Sequence, residues 1–344
     1  MATRVGINGF GRIGRNVLRA AYERDADLEV VAVNDVTDAH TLAQLLARDS
    51  VYGRFPGAVE VNGREIVIDG EHVVRVLAER EPGELPWEAL GVEVVIEATG
   101  KFRRRAEAAK HLEAGARKVI VTAPMRGDEP ADADLVLGVN FDRVYDPDRH
   151  HIVTNASCTT NCLAPVALVL HQAIGIKTGV MTTIHSYTAD QNLLDAPHKD
   201  LRRARAGAIN LVPTSTGAAK AIGLVIPELE GRLNGLAVRV PTPTGSIVDL
   251  TVESERDTTV EAVNDAFRQR ADTGELEGIL AYSEEPLVTT DIVGSPYSSI
   301  FDAPLTTVVG TRQVKVIAWY DNEWGYCERL VDLAARVLVP VPAR

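Results

Sequence analysis

Cysteine is scarce in this 344-residue sequence: there are three, an odd number in a long chain. That scarcity argues against a disulfide framework and for a reducing, cytoplasmic setting. Long apolar runs are missing too, and none reaches the roughly 20 residues that a membrane-spanning helix needs. The opening "MATRVGINGF" enters strand-like sequence at once and leaves no room for a secretory leader. Positive charge is in deficit, with 36 Lys and Arg against 48 Asp and Glu and a formal net charge of −12. Nucleic acid needs a basic face, so it is excluded as a partner. The same deficit means that an anionic ligand must be held by individually placed arginines, hydroxyls and backbone N–H groups. Internal repeats and low-complexity segments are absent as well.

What is present suits two ordinary soluble domains, with apolar residues at 45% and charged residues at 24%. The first half alternates short β-rich runs with helix-like stretches: "RVGING", "GRIGRNVLRAAYER", "LEVVAVND", then "VEVVIEATG", "RRRAEAAKHLEAGA" and "RKVIVTAP". Buried strands separated by helices predict βαβ units on a parallel sheet. "LVLGVN" and "HHIVTN" read as two further strands leading to "TNASCTTNCLAP". Beyond a helix from Cys158, the runs "KTGVMTTIHSYT", "GLAVRVPTPTGSIVDLTVES", "PLVTTDIVG" and "TTVVGTRQVKVIAWYDN" are longer, β-branched and partly alternating. They predict a mostly antiparallel sheet. "DLRRARAGAINLVPTSTGAAKA" reads as a long loop followed by a helix, and "WGYCERLVDLAARVL" as a closing helix. The expected fold class is therefore α/β: a Rossmann-type parallel-sheet domain over 1–157, completed by a C-terminal helix over 323–344, and a second, α+β domain with a mostly antiparallel sheet over 158–322.

"GINGFGRIGR" places Gly9, Gly11 and Gly14 as G-x-G-x-x-G between a strand and a helix. Such glycines allow a tight turn, close approach of a pyrophosphate and close helix–strand packing, and the helix N-terminus receives the phosphates. Asn34-Asp35 ends the second strand about 20 residues on, where an acid takes the ribose hydroxyls. A carboxylate there repels a 2′-phosphate, which favours NAD over NADP.

Cys158 and Cys162 lie four residues apart. A single C-x₃-C without further ligands does not make a metal site, and the two positions suit a disulfide poorly. Cys162, one turn inside a helix and followed by "LAPVALVL", reads as a packed thiol. Cys158 starts the helix among Ser157, Thr159 and Thr160, where the N-terminus favours the thiolate that attacks carbonyl carbon. His185 in "TTIHSYT", at a strand end, is the candidate imidazole partner.

Together "GINGFGRIGR", "ASCTTNCLAP", "HSYT", "RVPTPTGS" and "WYDNEWGY" resemble the phosphorylating glyceraldehyde-3-phosphate dehydrogenase family, in order across nearly the whole chain. The resemblance implies oxidation of D-glyceraldehyde 3-phosphate to 1,3-bisphosphoglycerate with NAD reduction and inorganic phosphate, in a cytoplasmic homotetramer. It makes Cys158 the nucleophile and His185 its base. It assigns Asn8, Gly9, Gly11, Arg12, Ile13, Asp35, Arg80, Thr99, Thr122 and Asn322 to NAD, Thr122 and Asn322 at the nicotinamide end. Ser157, Thr159, Thr216 and Gly217 match the site for attacking phosphate, and Thr188 and Arg239 the site for the substrate's own phosphate. Ala196 stands where many NAD-using members carry Leu, which keeps an NADP-using variant in view. The rival erythrose-4-phosphate dehydrogenase tends to carry Glu at the position of Asp35 and "PTINVT" in place of "PTPTGS". A non-enzymatic NAD-binding regulator or scaffold would have lost Cys158 or His185. The basic "FRRR" at 102 to 105 reads as a solvated helix start.

Overall fold

The computed structural model describes residues 2–271 and 273–339, which fall into two compact units. The first holds the described residues up to Leu135, Asp142–Ala156 and those from Cys327 onward; the second holds Val136–Phe141 and Ser157–Tyr326.

The chain begins with β1 (Thr3–Asn8), α1 (Arg12–Glu23), β2 (Leu28–Asn34), α2 (Ala39–Ala47) and a small hairpin of β3 (Arg48–Asp49) and β4 (Gly53–Arg54). Then come β5 (Val59–Asn62), β6 (Glu65–Ile68), β7 (His72–Leu77), β8 (Val94–Glu97), α3 (Arg105–Glu113), β9 (Lys118–Val121), β10 (Ala133–Asp134), α4 (Phe141–Val144) and β11 (Ile152–Thr154). A nine-stranded sheet runs in the order β10-β11-β9-β8-β1-β2-β7-β6-β5. Pairing is parallel from β10 to β7, and the β5-β6-β7 edge is antiparallel. Continuous burial along β8 and β9 fits central parallel strands covered on both faces.

The second unit carries α5 (Cys158–Ile174), β12 (Ile176–Ser186), β13 (Val212–Ser215), α6 (Ala218–Val225), β14 (Leu233–Val240), β15 (Ser246–Ser254) and α7 (Val260–Ala271). These are followed by β16 (Leu280–Ser283), α8 (Thr289–Ile292), β17 (Ser299–Asp302), β18 (Thr307–Val309) and β19 (Gln313–Tyr320). The eight-stranded sheet is ordered β13-β14-β12-β15-β19-β17-β16, with β18 on β19. It is mostly antiparallel; β12–β14 and β16–β17 run parallel. Alternating burial along β15 turns one face inward. A last helix, α9 (Trp324–Arg336), closes the described chain, and residues 340–344 of the expected closing helix lie outside the described residues.

The fold class matches expectation, but three local readings change. "LVLGVN" is a turn after the short β10, because the Asn140 side-chain oxygen takes the Val136 N–H at 2.8 Å. "PLVTTDIVG" contains the helical turn α8, whose Asp291 carboxylate accepts the Val288 N–H at 2.8 Å. The supposed loop before α6 contains β13, which pairs with β14. "FRRR" does open α3 at the surface, with Arg104 exposed, and its Arg103 and Arg105 also tie down a loop by donating to the Pro124 carbonyl and to the Pro130 carbonyl and Asp132.

Candidate active site

Three residues turn the chain from β11 into α5, and Ala156 among them takes a left-handed φ of 49°. The Ser157 hydroxyl then caps the helix by accepting the Thr160 N–H at 3.0 Å. This sets Cys158 in the first turn, where free N–H groups and the helix dipole favour negative charge. Its half-buried Sγ lies 3.5 Å from His185 Nε2. His185 is the penultimate residue of β12, and its Nδ1 lies 2.7 Å from the Ser186 carbonyl oxygen. That oxygen only accepts and Arg239 Nη1, on the same nitrogen, only donates; in the tautomer that carries its hydrogen on Nδ1, toward the oxygen, the Nε2 lone pair faces the sulfur. Arg239 is the register partner of His185 on β14 and brings Nη1 beside Nδ1, 3.1 Å from the same carbonyl. Tyr320 packs edge-on against the imidazole, with Oη 2.9 Å from both Thr159 Oγ1 and Thr183 Oγ1.

Electrostatics here is a contest. Burial pushes the Cys158 thiol up, against the Arg239 charge and hydrogen bonds from Thr159 and the helix backbone. Burial, reinforced by Arg239, pushes His185 down to about 3. Each group alone is therefore driven toward its neutral form. Moving the proton from Sγ to Nε2 creates both charges at once in contact, where each offsets the other's desolvation. The helix N-terminus by itself, on which the sequence argument relied, is opposed by burial.

Arg239 Nε is buried without a hydrogen-bond partner among the described residues, a guanidinium edge ready for an anion. The Thr188 hydroxyl donates to Asp190, which pairs with Arg203 at 2.6 Å. Arg203 also donates to Thr214 Oγ1 at 2.9 Å. Sequence reasoning missed this arginine, because "DLRRARAG" reads as loop and nothing local separates it from its neighbours. Thr216 accepts the Ala218 N–H, and Gly217 starts α6 with open space where a Cβ would stand. The Ser157 and Thr159 hydroxyls are engaged in the cap and with Tyr320. Asn322 is buried, its Oδ1 receiving the Ser186 and Ser246 hydroxyls at 2.8 Å each, which leaves its NH₂ to donate.

In the first unit, a cavity of about 270 Å³ is lined by Asn8, Gly9, Gly11, Asp35, Arg80 and Thr99, together with Asn34 and Glu79. Gly9 has φ 94°, and a Cβ there would stand 2.6 Å from the Thr99 nitrogen; one on Gly14 would stand 2.2 Å from the Gly9 oxygen. Gly11 instead faces open space and caps α1 without a side chain, so the first-turn N–H groups around Arg12 and Ile13 suit a pyrophosphate. The Asp35 carboxylate is held by the Phe10 and Thr37 N–H groups at 3.0 and 3.1 Å. The Arg12 guanidinium pairs with Asp49, which leaves its backbone as the part that faces a phosphate. Thr122 lies off this cavity lining, with N–H and hydroxyl both on the Glu97 carbonyl at 3.1 Å. The donor set fits a dinucleotide: backbone N–H groups for phosphates and a fixed carboxylate for a diol.

A glycine-turn dinucleotide cavity in one unit and a thiol–imidazole pair in the other are the parts of an NAD-dependent dehydrogenase. Family models described as "Glyceraldehyde 3-phosphate dehydrogenase, NAD binding domain" and "Glyceraldehyde 3-phosphate dehydrogenase, C-terminal domain" match residues 3–105 and 157–322. The chain is 59% identical over 337 residues to glyceraldehyde-3-phosphate dehydrogenase of Geobacillus stearothermophilus, covering 98% of each. It is 60% identical to glyceraldehyde-3-phosphate dehydrogenase 1 of Streptomyces avermitilis and 57% to that of Bacillus subtilis, covering at least 98% of every chain. The chain belongs to the glyceraldehyde-3-phosphate dehydrogenase family.

Proposed function

We propose that this chain oxidises D-glyceraldehyde 3-phosphate to 1,3-bisphosphoglycerate, with NAD reduced and inorganic phosphate incorporated. The observation that carries this reading is Cys158 Sγ in contact with His185 Nε2 at the start of α5, with Arg239 alongside. Cys158 adds to the aldehyde carbon, forming a C–S bond, and the carbonyl oxygen becomes the hydroxyl of a hemithioacetal. His185 takes the thiol proton at Nε2, passes it to the carbonyl oxygen as the hydroxyl forms, and takes it back as that carbon is oxidised. Bound NAD supplies the hydride acceptor for the oxidation. A phosphate oxygen then attacks the Cys158 thioester, the C–S bond breaks, and the thiolate returns with the acyl phosphate released. Arg239 and Thr188 hold the substrate's phosphate; Ser157, Thr159, Thr216 and Gly217, with Arg203, hold the attacking one. Asn8, Gly9, Gly11, Arg12, Ile13, Asp35, Arg80 and Thr99 hold NAD, and Thr122 and Asn322 its carboxamide end.

The NAD-binding domain takes 1–157 with 323–344 and the catalytic domain 158–322, a division supported by the family match over 157–322. A cytoplasmic homotetramer completes the reading. Leu193, Leu194, Leu201, Ile209 and Leu211 are each at least 69% exposed, an apolar surface that a second copy would cover. Light scattering should return four times 37.1 kDa.

Reduced-nicotinamide absorbance tests the chemistry with triose and tetrose aldehyde phosphates, NAD and NADP, with and without phosphate. Turnover should need the triose, NAD and phosphate together. Preference for the tetrose or NADP would overturn those assignments, and no turnover with any aldehyde phosphate would overturn the enzyme. Cys158→Ser should abolish oxidation while leaving NAD affinity intact.

A further inference from the structure

Beneath the cofactor cavity lies a polar network that no step of the chemistry uses. Trp87, His111, Glu97 and Asn8 are all fully buried. The Trp87 indole N–H donates to His111 Nδ1 at 3.0 Å. An indole can only donate, so Nδ1 accepts and the ring hydrogen sits on Nε2, 3.1 Å from Glu97 Oε2. The same carboxylate oxygen accepts Asn8 Nδ2 at 2.5 Å. Its other oxygen accepts both the N–H of Thr99, at 2.9 Å, and the Thr99 hydroxyl. Asn8 Oδ1 in turn takes Asn34 Nδ2 at 2.7 Å, and Asn34 is tied to the Glu79 backbone through both ends of its amide, at 2.9 and 2.8 Å.

This chain of bonds crosses the sheet at one level. Asn8, Asn34 and Glu97 are the last residues of β1, β2 and β8, and Glu79 follows the end of β7. Those strands are consecutive in the order β8-β1-β2-β7. Asn8, Asn34, Glu79 and Thr99 all line the cavity, whereas Glu97 does not. We propose that Glu97 is a positioning residue for NAD: its carboxylate, oriented from behind by the Trp87–His111 pair, fixes the strand ends that form the cavity floor. Every partner of the Glu97 side chain among the described residues is a donor, so a group with two accepting oxygens suits the place and an amide does not. The inference rests on reading this cavity as the NAD site.

Glu97→Gln keeps the size but turns one end of the group into a donor facing donors. Isothermal titration with NAD, steady-state kinetics and iodoacetamide labelling of Cys158 are compared in wild type, Glu97→Gln, His111→Gln and Asp35→Ala. For Glu97→Gln the NAD dissociation constant and KM should rise about 10- to 100-fold, the span of a lost charged hydrogen bond. At saturating NAD, kcat should stay within about threefold and Cys158 labelling should be unchanged, a split that general loosening would not give. His111→Gln should weaken NAD by a smaller factor, about 3- to 10-fold, because the carboxylate keeps its Asn8 and Thr99 donors. Unchanged NAD affinity in Glu97→Gln, with Asp35→Ala impaired, overturns the positioning role. Unchanged affinity in both overturns the cavity reading and the inference with it. If Glu97→Gln does not fold, His111→Gln decides, and wild-type affinity there counts against the proposal.

Discussion

Cys158 and Cys162 occupy successive turns of α5, four residues apart and so on the same helix face. Cys162 meets the Ser299 hydroxyl at 3.5 Å, and burial pushes its thiol up to about 12. Such a sulfur is inert packing. Cys158 is also pushed up by burial, but it faces the Thr159 donors, the Arg239 charge and an imidazole nitrogen at 3.5 Å. The difference is supplied by β12 and β14, which deliver His185 and Arg239 in register to the start of the helix. In the proposed mechanism, reactivity belongs to the proton acceptor beside the sulfur more than to the sulfur.

Removing that acceptor is the severest way to break the contrast. In His185→Asn, kcat should fall about 10²- to 10⁴-fold, the usual worth of a positioned base. Iodoacetamide labelling of Cys158 at neutral pH should slow at least about tenfold and shift toward alkaline pH, since burial then acts on the thiol unopposed by an imidazolium. Cys162 should stay unlabelled in both proteins. Wild-type Cys158 labelling no faster than an unactivated thiol would erase the distinction. The same substitution changes acid stability. His185 titrates at about 3 in the folded chain and near 6.5 when unfolded, so between those values the unfolded chain binds the extra proton. Stability is therefore lost as pH falls through that window, and His185→Asn should flatten this limb in urea melts at pH 7 and pH 4.5.

These features were unequally visible in the residues. The glycine turn and the cysteine stretch are local: Gly9, Gly14 and the Ser157 cap act within a few positions of where they stand, so pattern exposes them. Parallel and antiparallel sheets were legible from continuous against alternating apolar runs. "PLVTTDIVG" was misread because β-branched composition outweighed the Asp291 cap that closes α8, and "LVLGVN" because its turn depends on one Asn140 side chain. Glu97 and Arg203 were invisible for another reason. A lone Glu ending a strand and one Arg among several carry no signal until the sheet brings His111 to the first and Asp190 and Thr214 to the second.

A milder change tests the other half of the comparison. Cys162→Ala removes a buried sulfur whose neighbours cannot fully close in, and should cost about 1–3 kcal/mol of stability in denaturant melts. Turnover should stay within about twofold, because Cys162 holds no proton that the reaction moves. A loss of kcat comparable to that of His185→Asn would show that the second thiol takes part after all.

The smallest expected effect concerns the turn that aims the reactive sulfur. Ala156 holds φ 49°, where a Cβ crowds its own backbone at about 1–2 kcal/mol. Glycine removes that crowding but gains unfolded-state freedom worth about 0.5–1 kcal/mol, so Ala156→Gly should shift stability by no more than about 1.5 kcal/mol, toward greater stability. Valine adds branching at the crowded carbon and should destabilise by more than about 2 kcal/mol. Urea melts of the pair give the order Gly, Ala, Val. Valine as stable as alanine would mean that the turn is not held in the left-handed region, and the aim of Cys158 would then have to come from the Ser157 cap and the helix alone.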